Sequence, residues 1–580
     1  MSPVDARALA SWLASADDRV LTDLFAARQV PAAPGWNDFF DAAEALLESA
    51  SIARGAALLS RDLVAALGDA VATGGSVAAG PERDSLVARA FVRPDGTPYG
   101  SVADAWPALT TAATTEAERE PAARPATDAI ASASGTENDA QLAERAFAVV
   151  AALADVIHAT GPAPLARTGA GTLGASDRRR LIELGAADDA ETAEQLVAIG
   201  AEAELLRSAE RDWRVTADGA AWLTRNTVDR WVSIAQHLRD ALPPALRGSR
   251  GEVLDAGEWE RAYPLDPSWA ARARGLADRW RAWAIIDAAG RPSGWSTKFV
   301  AGGPVDTALL TDLLPGEVDR IFLQNDLTAI APGPLEPAID ARLRRAAKRE
   351  SRAQASTYRF SAESIGAALA AGEDAASLTE FLRTISLTGL PQPLAYELER
   401  AAARHGRIRV RANADGGTRV EADEPLLDTL RVDQALRPLG LVGETGALVS
   451  RSSLDTVFWM LSDARYPVVA VDADGQSRVL RRLRLAAAPE PERPRHDDLV
   501  ARLRGARGTD DEAAWLVREL EHAVRARAVV VVTVRLPDGA ARDFVLEATG
   551  LGGGRLRGRD RAADVERTLP VSSISAVRLP

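Results

Sequence analysis

Two arginine clusters carry the clearest chemical signal in this sequence. Between positions 342 and 359 stand Arg342, Arg344, Arg345, Lys348, Arg349, Arg352 and Arg359, with Glu350 as their one acidic neighbour. A helix beginning after Asp340 would line up Arg342, Arg345, Arg349 and Arg352, because helical residues three and four apart share a face. The second cluster is Arg400, Arg404, Arg407, Arg409 and Arg411. It ends a stretch, Leu378–Ser386, Leu387–Pro391, Pro393–His405, that reads as helix, turn, helix. The second helix would turn Gln392, Tyr396, Arg400 and Arg404 outward, the way a recognition helix offers side chains to a DNA groove. Guanidinium groups gathered on one surface neutralise phosphates. The candidate DNA-binding residues are therefore Arg342, Arg345, Arg349, Arg352, Gln392, Arg400, Arg404, Arg407 and Arg409. The bland alternative is a solvated surface, since arginine is the default cation here and Lys298 and Lys348 are the only lysines.

Other chemistries find no anchor. The chain has no cysteine, which excludes disulfides, thiolate zinc sites, iron–sulfur ligation and cysteine nucleophiles, and fits a reducing cytoplasm. His158, His237, His405, His496 and His522 lie far apart, with no His-x-His or His-Glu-x-x-His spacing, so neither a metal nor another cofactor is expected. Lys298 precedes Phe299 and Lys348 precedes Arg349, so neither ends a Gly-Lys-Ser/Thr phosphate loop. No Gly-x-Ser-x-Gly elbow occurs, and the glycine-rich run 550–558 follows a strand without opening a helix. No catalytic residue can be named.

The elements that must position the arginines are mostly helical. At 580 residues the chain exceeds the roughly 250–300 at which a single core stops growing, so about three to five units are expected. Asp5 and Arg7 rule out a signal peptide, and the longest apolar runs, Ala146–Ala154 and Ala528–Val534, are about half a membrane span. A cytoplasmic location without membrane contact follows. The net charge of −13 confines any nucleic-acid contact to a local patch.

Helical spacing of Leu9, Trp12, Leu13, Val20, Leu21, Leu24 and Phe25 opens an N-terminal helical module over 1–100, in which Phe91–Gly100 reads as a short strand around a Pro-Asp-Gly turn. Residues 101–140 read as an acidic linker, mobile over Thr110–Asn138. A winged-helix-like module spans 141–243. Its helices start at Ser176 and Asp189 and stop at Gly185 and Gly200, and strands Leu205–Arg207 and Trp213–Val215 follow. The second of these helices offers Glu191, Glu194 and Gln195 and no arginine, which suits protein contact rather than DNA. A tryptophan-rich connecting region spans 244–317. Trp269, Trp280 and Trp283 could stack bases, but a core anchored by large aromatics is the favoured reading.

From Val318 onward the segments Ile321-Phe322-Leu323-Gln324-Asn325-Asp326-Leu327-Thr328-Ala329-Ile330, Ser356–Phe360, Pro391–Leu394 and Arg404–Val410 occur in order. Residues 318–485 thereby resemble the N-terminal domain of the bacterial XPB-type DNA helicases, and the whole chain is similar to actinobacterial helicase-associated proteins. In that family the domain precedes two ATP-driven motor domains and contacts DNA; the motor motifs are missing here. Residues 496–580 place short strands at Val529–Arg535, Arg542–Glu547 and Ile574–Leu579 around Pro537-Asp538-Gly539 and Gly552-Gly553-Gly554. They resemble a WYL domain, an SH3-like β-barrel, although Val534 stands near where its tyrosine belongs. A structural barrel is favoured over ligand sensing.

The fold class read from the sequence is mainly α with α+β parts: tandem winged-helix-like modules, an XPB-type accessory domain and a C-terminal SH3-like β-barrel. The function expected is that of a non-catalytic, DNA-binding accessory or regulatory protein working with a helicase, nuclease or transcription component. The alternative is a scaffold that binds proteins through its winged helices and never touches nucleic acid. Purified protein should neither bind nor hydrolyse ATP, because no motif can hold a triphosphate with magnesium; DNA-stimulated phosphate release that co-elutes with the protein would overturn this.

Overall fold

The computed structural model describes residues 3–119, 137–352, 355–413, 415–480, 485–487, 496–506, 511–536, 540–560 and 563–578. The N-terminal module is built from α1 (Pro3–Ser15), α2 (Asp18–Ala27), α3 (Phe39–Leu46), α4 (Ser49–Ala56), α5 (Arg61–Thr73), α6 (Pro81–Ala88) and α7 (Gly100–Arg119). Leu9, Leu13, Leu21, Leu24 and Phe25, the spacing legible in the sequence, are buried in its core. Helix α7 runs on through Thr110 to Arg119, so the first part of the expected mobile linker is helical. Residues 120–136 of that linker lie outside the described residues. Its last residue, Asn138, closes a capping box on the next helix with Gln141.

The second unit contains α8 (Asp139–Thr160), β1 (Leu165–Ala166), α9 (Ala175–Glu183), α10 (Ala190–Glu202), β2 (Leu206–Ala209) and β3 (Asp212–Val215), with an antiparallel sheet in the order β1-β3-β2. Asp189 caps α10 by accepting from the Thr192 amide. Two expected boundaries shift. Gly174, not Ser176, precedes α9, and α10 continues past Gly200 to Glu202. Gly200 serves packing instead, since a Cβ there would lie 3.1 Å from the Leu206 side chain.

The same core continues through α11 (Ala217–Trp222), α12 (Thr227–Asp240), α13 (Trp269–Ala282), α14 (Thr297–Val300) and α15 (Thr307–Leu313). Trp222, Trp231, Trp259, Trp269, Trp280, Trp283 and Trp295 are all fully buried in it. The stacking-platform reading therefore falls and the core reading stands. Trp231 donates its indole N–H to the Trp283 carbonyl at 2.8 Å, and Trp283 returns the bond to the Trp231 carbonyl at 3.1 Å. This satisfies polar groups that a dry core would otherwise penalise.

The third unit comprises β4 (Phe322–Leu323), β5 (Thr328–Ala331), α16 (Pro337–Ala346), β6 (Ala347–Arg352), β7 (Ser356–Phe360), α17 (Ala362–Ala370), α18 (Ala375–Ile385) and α19 (Gln392–Arg404). Its sheet has the order β4-β5-β7-β6. Next come β8 (Ile408–Ala412), β9 (Thr418–Glu421), α20 (Glu424–Val432), β10 (Val442–Glu444), β11 (Ala447–Ser450), α21 (Leu454–Asp463), β12 (Val468–Val471) and β13 (Ser477–Arg478), with a six-stranded sheet ordered β10-β11-β9-β8-β12-β13. The two sheets have separate cores.

The C-terminal unit holds α22 (Asp497–Gly505), α23 (Asp511–Arg525), β14 (Val529–Arg535), β15 (Ala541–Gly552), β16 (Arg555–Asp560), β17 (Val565–Pro570) and β18 (Ile574–Arg578). The expected barrel does not close. The strands form an open five-stranded sheet, β17-β16-β15-β14-β18, whose edge strands β17 and β18 do not pair with each other. Helix α23 covers one face instead, through Leu516, Leu520 and Ala523. The Pro537-Asp538-Gly539 turn lies outside the described residues. No helix among the described residues is long and apolar enough to cross a membrane.

The two ends of the chain share a core. Leu499, Val500 and Leu503 of α22 and Trp515 of α23 pack into the N-terminal module. Arg518 of α23 reaches Asp38, Asp41 and Glu44. Beside it Glu519 is buried, with Arg7 3.4 Å away. Burial pushes the Glu519 carboxyl up to about 7 against the opposing pull of Arg7. A carboxyl whose folded value is raised binds its proton more tightly folded than unfolded, so stability is lost as pH rises from the free-carboxyl range through about 7. Glu519→Gln should therefore stabilise the protein at pH above 7, by at most about 3 kcal/mol, and much less at acid pH. Urea unfolding of both proteins across this range checks it, and an equal difference at every pH would refute it.

Candidate nucleic-acid interface

The first arginine cluster does not lie on one helix. Helix α16 stops at Ala346 and the chain enters β6, where Lys348 pairs with Arg359 and Arg349 with Tyr358 across to β7. Arg342 and Arg345 thus stand on a helix, and Arg349 and Arg352 on a strand, which corrects the expected common face. A helix repeats every 3.6 residues and a strand every two, so the spacing that joins 342 and 345 cannot extend to 349 and 352.

Most of this cluster is engaged by carboxylates. Arg342 donates through Nε to Glu373 at 3.2 Å and through Nη2 to Ser377 at 2.8 Å, with its guanidinium over the Phe381 ring. Arg345 is exposed, with Glu373 3.8 Å away. Arg344 donates to Asp155 Oδ1 at 2.8 Å, its Nε lies 2.8 Å from Asp340 Oδ2, and Arg349 donates to the second Asp155 oxygen. The Tyr358 hydroxyl donates to Asp340 at 2.6 Å. Asp155 belongs to α8 of the second unit, so these bonds tie that unit to the third.

This ionic knot sets the protonation of its members. Burial alone raises the Asp340 carboxyl, but the Arg344 charge and hydrogen bonds from Arg344 and Tyr358 outweigh it and hold Asp340 below its ordinary value. Burial, then the Asp340 carboxylate, raise the Tyr358 hydroxyl. Burial and then the Arg344 charge push His158, one turn beyond Asp155, down to about 3. His158 is therefore a neutral imidazole near neutral pH. Arg230 of α12, brought down to about 10 by burial, also feels Asp340 and Asp155.

Asp155 and His158 were not singled out as partners from the sequence. The available signal was an acid following the apolar run Ala146–Ala154, at a helix position that the 3.6-residue period assigns to the core.

The second cluster is disposed differently. Helix α18, a six-residue turn and α19 form a helix-turn-helix. Leu394 and Leu398 point into the core, while Gln392, Tyr396 and Arg400 are exposed on the opposite face and Arg404 at its end. Arg400 has Glu397 3.4 Å away, and Arg407 donates to Asp423 at 2.5 Å. Arg404 and Arg409 are exposed and make no ion pair among the described residues. Arg411 lies 3.0 Å from Glu421. The strand register sets Arg409 and Arg411 of β8 opposite Glu421 and Arg419 of β9, on the face of the sheet away from Ile408, Val410 and Val420. The structure brings Gln392, Arg400, Arg404, Arg407 and Arg409 along one helix and the strand after it. It leaves Arg342, Arg345 and Arg349 around a separate helix and strand. Arg352 ends β6, opposite Ser356.

No group of His, Asp and Glu suited to holding a metal ion occurs among the described residues. A family model described as a helicase conserved C-terminal domain matches residues 321–444, which spans both arginine clusters. That match supports a helicase-associated protein. Its description says C-terminal where the sequence resemblance pointed to an N-terminal domain. Comparison with curated proteins finds no match.

Replacing a cation of the knot should differ sharply from replacing an exposed one. Arg344→Gln leaves Asp155 and Asp340 buried without their shared partner and should cost about 3 kcal/mol. Arg345→Gln should stay within about 0.5 kcal/mol. Denaturant unfolding of the two variants measures the difference, and equal midpoints would show that the knot contributes nothing.

Proposed function

We propose that this chain is a non-catalytic, DNA-binding accessory or regulatory protein of a helicase-related system, with ATP-driven chemistry supplied by a partner helicase, nuclease or transcription component. One observation carries the reading: inside the helicase-matched segment, α19 and β8 present Gln392, Tyr396, Arg400, Arg404, Arg407 and Arg409 at the surface, with Arg404 and Arg409 unpaired among the described residues. Exposed ion pairs such as Arg400–Glu397 contribute little to stability, so a phosphate can compete for the guanidinium. Contacts of this kind hold a backbone without reading bases, which predicts salt-sensitive binding that is largely indifferent to sequence. The helix-turn-helix supports the XPB-type accessory reading of 318–485, and the α8-to-β3 order supports the winged-helix reading of 141–243.

One feature favours the scaffold reading for the second unit alone. Helix α10 exposes Glu191 and Gln195 where a groove-binding helix would carry cations. Protein contact through α10 is compatible with DNA contact through α19.

Replacing Arg400, Arg404, Arg407 and Arg409 together by glutamine should flatten the plot of log affinity against log salt by roughly 3 units on duplex DNA. Arg178→Gln with Arg179→Gln, on α9, should leave the slope unchanged. A salt titration with fluorescent duplex and single-stranded DNA decides: equal slopes for wild type and both variants would return α19 to ordinary solvated surface and favour the scaffold.

A further inference from the structure

The engaged arginines of the first cluster have a property that the exposed ones lack. Asp155 is 4% exposed, yet both its oxygens are occupied by Arg344 and Arg349, which come from the other side of an interface between two units. The apolar cores on either side share no residue. Polar bonds cross the contact here and where Glu317 accepts from the Thr227 amide at 2.8 Å and hydroxyl at 2.6 Å. Polar contacts between units of one chain permit relative motion in a way that a shared apolar core does not. A carboxylate gripped by two guanidinium groups also has a chemical equivalent, because a phosphodiester offers the same anionic oxygen pair to the same donors. Arg345 and Lys348, both exposed, lie on the elements that carry Arg344 and Arg349.

We propose that Arg344 and Arg349 form a cryptic phosphate-binding site, held shut by Asp155 of α8 and opened when a DNA backbone takes the place of that carboxylate. The proposal rests on the DNA-binding reading above and extends it. Arg400 to Arg409 make the first, always-open contact, and Arg344, Arg349, Lys348 and Arg345 add a second once α8 is drawn off. No bond is made or broken; one oxyanion replaces another on the same two cations.

The test uses the full chain and a fluorescent DNA duplex. Asp155→Asn removes the competing charge and should tighten duplex binding about tenfold at constant salt, whereas Asp155→Glu should keep the wild-type affinity; adding Arg344→Gln and Arg349→Gln to Asp155→Asn should flatten the salt plot by about 1.8, two contacts at about 0.9 each. Because the chain has no cysteine, Ala175→Cys on α9 and Ala371→Cys just after α17, both exposed, can carry a donor and an acceptor dye in an otherwise wild-type protein. Energy transfer between them should fall on adding saturating duplex. This arm needs no substitution in the knot, so it decides even if Asp155→Asn does not fold. Unchanged transfer at saturation, or a folded Asp155→Asn that binds duplex no tighter than wild type, overturns the latch. If the four α19 and β8 glutamine replacements flatten the salt plot while transfer stays constant, the latch alone fails. If wild type and Asp155→Asn bind no duplex, the DNA-binding reading fails with it.

Discussion

The architecture turns on where the Asp155 carboxylate is placed. Taking a carboxylate out of water is costly, and it persists in a folded protein only where cations are delivered to it in good geometry. Arg344 and Arg349 reach it from a helix end and from the first strand residues after it. The passage from α16 into β6 at Ala346–Ala347 is therefore what brings two donors to one acceptor. Asp340, Tyr358 and neutral His158 complete the surroundings. The second and third units are joined at this site and by the bonds from Thr227 to Glu317.

Elsewhere the chain joins its parts by burial. Trp231 and Trp283 exchange indole hydrogen bonds with each other's carbonyls in a core filled by tryptophans, while Trp515 and the α22 leucines complete the N-terminal core from the other end of the sequence. Two kinds of junction result. The apolar ones resist opening in proportion to the surface they would expose. The ionic one at Asp155 exposes groups that water or a polyanion can satisfy. That contrast makes it the place where one unit can move without dismantling a core.

What was legible in the sequence was local. The pair α18 and α19 is readable because Leu378, Leu382, Leu394 and Leu398 repeat at helical spacing and prolines mark the turn between. The end of α16 was not, because nothing at Ala346 stops a helix; pairing of β6 with β7 does, and that pairing is a tertiary fact. The open C-terminal sheet misled for the same reason, since closure depends on whether β17 meets β18 and local alternation is identical either way. The turn at 91–100 was visible through its Pro-Asp-Gly, but the short strand expected around it is reduced to a single bridge between Val92 and Pro98. Its second copy at 284–294 was not, having Ala-Ala-Gly, although Ala90 and Ala284 both adopt φ of 55° and Gly96 and Gly290 φ of 89° and 86°. There the backbone repeats while the side chains that announce it do not.

Counting arginines misjudges this surface for a physical reason. The chain has an acidic net charge of −13, and many of its guanidinium groups serve inside it. Arg28 is buried and bonded to the Ser51 hydroxyl and the Arg89 carbonyl, Arg230 to the Trp222 carbonyl, and Arg518 to three acids. An arginine paired with carboxylates, as Arg518 is, contributes little to the outer potential, because its field is offset within a few ångströms by its partner. The external field is set by the few exposed cations without an ion pair, and Arg404 is of that kind among the described residues. A run of basic residues in an arginine-rich chain thus reports first on internal ion pairing. The test of a nucleic-acid surface is which guanidinium groups remain uncompensated once the units have docked.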